Sequence, residues 1–94
     1  MNNVQSCANL LSDKAQCDFQ MRRALDVYPI SAQQHLSKPT GRRPWIGAAA
    51  CNVAIGANEE EVRIAWNFYM TPEQQDQANA VADEVIQHWE GANA

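Results

Sequence analysis

Five side chains in this sequence have the chemistry of soft-metal ligands or of a nucleophile and its base: Cys7, Cys17, Cys51, His35 and His88. Zinc sites hold ligands in pairs roughly two to five residues apart, because one turn must present both donors to one ion. None of the five is paired in that way, and Cys7 and Cys51 fall on apolar faces, where thiols are structural. No metal is expected. Nucleophilic catalysis needs an activated Cys or Ser, often on a strained glycine turn, and no such turn occurs here. His88 sits at the edge of an apolar stripe and reads as a surface residue. The many Glu and Asp form charge runs from which no acid–base pair stands out. The expectation is a protein that is not an enzyme and carries no cofactor.

Two charged groups remain. Lys38, Arg42 and Arg43 cluster in one basic loop next to Trp45, and such a set can grip a phosphate and stack a base. Gly41 and the start of the following helix would add backbone donors for an anion. Against this, residues 1–51 carry six basic and three acidic side chains, and residues 52–94 one basic and eight acidic ones, for a net charge of −4. A nucleic-acid-binding domain normally shows a net basic footprint. Glu59, Glu60, Glu73, Asp76, Asp83 and Glu84 lie on the last two helices. Either the two oppositely charged halves attract each other within the fold, or the acidic face meets a basic partner.

The elements that would position these groups are helices. Residues 44–56, PWIGAAACNVAIG, have no polar side at helical spacing. Ile46, Ala49, Ala50 and Val53 make one stripe, Trp45, Ala48 and Ile55 fall on the other faces, and Asn52 is the one strongly polar side chain. A helix that is apolar all round is normally buried. The stretch is too short for the ~20 residues of a membrane span. It is expected to be a central helix over 44–55, with Pro44 in its first turn and Gly56 ending it in the left-handed conformation. Gly47 and Ala48–Ala50 leave room for the close approach of a neighbouring helix.

Residues 3–28 read as one long helix with a possible kink near Ser12 and Asp13, Ser12 being the candidate cap. Val4, Ala8, Leu11, Ala15 and Phe19 form a first stripe. Ser31 is placed to cap a short turn through Leu36. Asn58 and Glu61 form a capping box, followed by a core face of Val62, Ala65, Trp66 and Tyr69. Ile64 and Phe68 make a second apolar stripe on the same helix, either covered by the first helix or presented to another molecule. Thr71-Pro72-Glu73-Gln74 is a second capping box, opening a helix expected to run to Glu90 with Gly91 beyond it. No segment alternates as a strand does. The reading is a single all-α domain over 1–94, a compact bundle of four helices, or five if 31–36 counts.

Three cysteines without framework spacing suit a reducing cytoplasm, and with no N-terminal apolar run after a basic start no secretory signal is expected. The stretch RRPWIGAAAC…EEEVRIAWNFYMTPEQQ…ANAVADEVIQHW is similar in profile to the small proteins of phages and other mobile elements, of which the anti-CRISPR inhibitors are the best-known group. The resemblance implies a stoichiometric binder that blocks a host defence complex, often at a nucleic-acid-binding surface, and it assigns no functional residue. The expected function is inhibition of a host macromolecular complex in the cytoplasm through Glu59, Glu60, Glu73, Asp76, Asp83 and Glu84, with Ile64 and Phe68 as apolar contacts. The expected partner is a protein with a basic surface. A homodimer through Ile64 and Phe68 uses the same surface, and no membrane is involved. The alternative is a nucleotide or nucleic acid bound by Lys38, Arg42 and Arg43.

Overall fold

Asp13 divides what the sequence suggests is one helix. In the computed structural model, which describes residues 3–94, Asp13 has an extended backbone and its side chain accepts from the Gln16 N–H at 3.0 Å. Asp13, rather than Ser12, caps the second helix, satisfying a backbone donor that the helix itself leaves free. The described residues form six helices: α1 (Asn3–Ser12), α2 (Lys14–Val27), α3 (Pro29–Leu36), α4 (Arg42–Ile55), α5 (Glu59–Tyr69) and α6 (Pro72–Ala92). The all-α class stands; the count of four or five does not. The extra helices come from the break at Asp13 and from α3. The latter starts at Pro29, whose fixed φ suits a first helical position, and not at a Ser31 cap.

Two glycines in the left-handed region bound α4. Gly41 has φ 77° before its first residue, so the helix opens at Arg42 rather than Pro44, and Gly56 has φ 70° after its last. A side chain at either position would strain the backbone. The two predicted capping boxes are both present, at Asn58 with Glu61 and at Thr71 with Gln74. The last helix continues past Glu90 to Ala92.

One cluster of buried side chains draws on all six helices, including Leu11, Met21, Leu36, Ile46, Val62 and Val85. The most extensive packing is of α2 against α4, α1 against α5 and α2 against α6. The radius of gyration, 12.1 Å, is close to the ~12 Å of a well-packed chain of this length. No described helix is long and apolar enough to cross a membrane.

The central helix differs from expectation in one respect. Ile46, Ala49, Ala50 and Cys51 are buried, but Trp45, Gly47, Ala48, Val53, Ala54 and Ile55 are half-buried and Asn52 is exposed. The jacket is incomplete because α5 lies mainly on α1 and touches α4 only lightly, which leaves one flank of α4 uncovered. Three other apolar positions also differ. Ala15 and Phe19, on the predicted first stripe, are exposed, Phe19 to 60%, since the break at Asp13 rotates α2 out of register with α1. Tyr69, on the predicted core face of α5, is 46% exposed.

Candidate functional site

The uncovered flank of α4 is one wall of a groove. Trp45, Gly47 and Ala48 form that wall, Ala78, Asn79 and Ala82 of α6 another, and Val62, Arg63, Trp66 and Asn67 of α5 the third. Leu11 and Met21 lie at its base, and its volume is about 1060 Å³. That is at the upper end of the roughly 300–1,000 Å³ typical of ligand pockets. A smaller hollow of about 210 Å³, bordered by Tyr28 and Asn52, shares Trp45, Ala48 and Glu59 with the groove.

The groove exists because α5 and α6 diverge. They are consecutive but barely touch. Met70, between them, has an extended backbone and is 7% exposed, so it anchors the elbow in the core. The Thr71 capping box with Pro72 then starts α6 in a new direction. Gln75 donates through Nε2 to the Trp66 carbonyl at 2.7 Å and holds the end of α5 to the start of α6. On the α4 side, the Trp45 ring stacks on His35 with centroids 5.3 Å apart and planes 7° from parallel. Trp45 thus belongs to the wall of the groove rather than to the centre of the core.

The basic loop and the acidic helices meet each other. Arg43 donates to both carboxylate oxygens of Asp83, through Nε at 2.8 Å and Nη2 at 2.5 Å. The Arg43 hydrogen bonds hold the Asp83 carboxyl below its ordinary range, and Asp83 in turn raises the guanidinium. Arg42 donates to Glu90 at 3.0 Å and to the Leu36 carbonyl at 3.3 Å, closing the end of α3. Lys38 stays exposed and has no ion pair among the described residues. Lys38, Arg42 and Arg43 are therefore not an open cationic set: two of the three already face carboxylates.

The acidic residues divide in the same way. Asp83 is bound by Arg43, and Glu60 stands 3.5 Å from Arg63. Glu59, Glu73, Asp76 and Glu84 are exposed and have no ion pair among the described residues. Glu73, Asp76 and Glu84 share the outer face of α6 with Ala80 and Gln87. Glu59 and Glu60 stand at the rim of the groove, where α5 begins. Phe68 is 76% exposed and Ile64 half-buried. Both lie on the flank of α5 opposite Trp66, so the structure does not bring them to the groove.

The thiols lie in the core. Cys17 donates to the Met21 sulfur at 3.8 Å, and burial, with Asp18 and Asp13 nearby, pushes its pKa up to about 12. Cys51 is raised as well, by its hydrogen bond with Cys7 and by burial. His88 is exposed, and the described residues contain no cluster of three or more metal-ligating side chains.

The groove residues Ala48, Trp66, Asn67 and Asn79 were not legible as a set. Their one signal in the sequence is the run of small residues at Gly47–Ala50, which reads as room for a neighbouring helix. Part of this room is taken, since α2 packs closely on α4 and Ala49 and Ala50 are buried, while Gly47 and Ala48 stay half-buried. No family profile, curated protein or solved structure matches the chain.

Proposed function

We propose that this chain is a non-catalytic binding protein of the cytoplasm. It inhibits a host macromolecular complex, in the manner of the anti-CRISPR proteins its profile resembles, by covering a basic surface with the acidic face of α5 and α6. The observation that carries the reading is the division of charge. The arginines beside α6 are spent on Asp83 and Glu90, while Glu59, Glu73, Asp76 and Glu84 point outward without a cation. What the domain offers a partner is net negative charge, which steers a basic surface into contact and suppresses acidic ones. Three free, buried thiols suit a reducing compartment. A polyanion at Lys38, Arg42 and Arg43 would first have to displace two intramolecular carboxylates, so the nucleotide reading is the weaker one.

The test is capture of a partner from host lysate, followed by binding kinetics with the wild type and with the triple variant Glu73→Lys/Asp76→Lys/Glu84→Lys at two ionic strengths. The expected result is a slower on-rate for the variant and a flatter dependence on salt. An unchanged on-rate and salt slope would remove the acidic face from the function. Saturable binding of a labelled oligonucleotide, lost in Arg42→Ala/Arg43→Ala, would favour the alternative instead.

A further inference from the structure

We infer that the groove between α4, α5 and α6 receives one amphipathic helix of the partner, two to three turns long, with an aliphatic stripe flanked by Lys or Arg. The inference rests on the protein-binding reading above and adds the place and the chemistry of the contact.

Three observations lead to a helix. The α4 wall presents the half-buried Gly47 and Ala48, and the α6 wall the half-buried Asn79, Ala78 and Ala82 being buried in the core. Side chains as small as those of the α4 wall let a helix axis approach to the ~8–10 Å of close helix packing. All the walls are helices, so the groove offers no row of free backbone donors and acceptors. An extended peptide would bury its own amides there without partners, whereas a helix satisfies them internally. Trp45 and Trp66 flank the opening and supply flat apolar area with little entropy to lose.

The sign of the flanking charge follows from the rim. Arg43 is neutralised by Asp83, and Arg63 faces Glu60. Glu59, which lines the groove at the start of α5, has no cation among the described residues. The residual charge around the opening is negative, so a helix flanked by basic residues fits and an acidic one is repelled. Asn67 and Asn79 line the groove and make no side-chain hydrogen bond among the described residues, which leaves two side-chain amides for polar groups at the edge of the incoming helix.

Gly47 makes the inference testable without unfolding the protein. A Cβ added there meets nothing within 4 Å. Gly47→Leu therefore projects into the groove, and Gly47→Ala removes the same glycine without filling the space. The probe is a displayed library of 14-residue helical peptides with randomised apolar and charged positions, selected on the intact protein. Circular dichroism verifies that each variant is folded. Enriched peptides should carry an aliphatic stripe with Lys or Arg beside it. They should bind Gly47→Ala as they bind the wild type and bind Gly47→Leu at least tenfold more weakly.

No enrichment, or enrichment of acidic or uncharged peptides, overturns the inference. So does equal binding to Gly47→Leu. Peptides that ignore Gly47→Leu but are lost in Glu73→Lys/Asp76→Lys/Glu84→Lys would sink the groove while leaving the acidic-face reading intact. Peptides that respond to Gly47→Leu but not to the triple reversal would do the opposite.

Discussion

Arg43 and Asp83, forty residues apart, hold each other through two parallel hydrogen bonds that join the first turn of α4 to the middle of α6. In the sequence they belong to two rival binding surfaces, one basic and one acidic. In the fold they cancel each other. A bidentate arginine–carboxylate pair adds geometric specificity to such a contact, and this one links two walls of the groove.

The first prediction concerns that pair. The Asp83 carboxyl is held below its ordinary value by Arg43. Its contribution to stability is therefore present above the pKa of an unfolded aspartate, ~3.9, and is lost as pH falls through the lower folded value. A carboxyl-detected NMR titration should place Asp83 below 3.9, and Arg43→Ala should return it toward that value. A midpoint unmoved by Arg43→Ala would break the assignment.

Capping gives the second. Thr71 accepts from the Gln74 N–H at 3.2 Å while Gln74 returns a bond to the Thr71 N–H at 2.9 Å. Thr71→Ala should cost about 1 kcal/mol in urea denaturation and Thr71→Ser much less. Equal losses for the two variants would mean that the methyl group, not the hydroxyl, supports the start of α6.

Buried thiols give the third. Cys7, Cys17 and Cys51 are buried, and the Cys17 thiol is pushed up to about 12 from an ordinary value of 9.0. At pH 8 a thiol reagent should modify the native protein slowly and all three residues rapidly in denaturant. A thiol whose pKa rises on folding stabilises fully below its unfolded value. The Cys17 contribution should thus fade as pH climbs from about 9 to about 12. Fast labelling of the native state would contradict the placement of these residues.

The fourth prediction concerns Gly47, which is half-buried inside α4 with open space where its Cβ would be. Gly47→Ala should stabilise the fold by about 0.5–1 kcal/mol, because glycine in a helix interior loses more backbone entropy than alanine. Destabilisation in a chemical melt would show that the space beside α4 is not open.

Local chemistry was the most legible part of this sequence. The capping boxes at Asn58 and Thr71 and the left-handed turn at Gly56 depend on residues three or four apart, and all stand as read. The break at Asp13 was harder to see, because Ser12 and Asp13 are both good caps. The groove was hidden for a different reason. Apolar periodicity says which faces of a helix avoid water, and residues 44–55 qualify on every side. It does not say whether the chain supplies enough helices to cover them. Where α5 rests is decided by its packing on α1, a contact between residues about fifty positions apart, and no local pattern encodes it.

An uncovered greasy channel should make copies of a protein stick to one another. The carboxylates beside the opening work against this, since two molecules approaching channel-first present like charges and repel. The same groups that would recruit a basic helix thus guard the slot while it is vacant. Shielding them with salt removes the guard, so self-association at high concentration should rise with ionic strength, opposite to the weakening that salt brings to the contact with a basic partner.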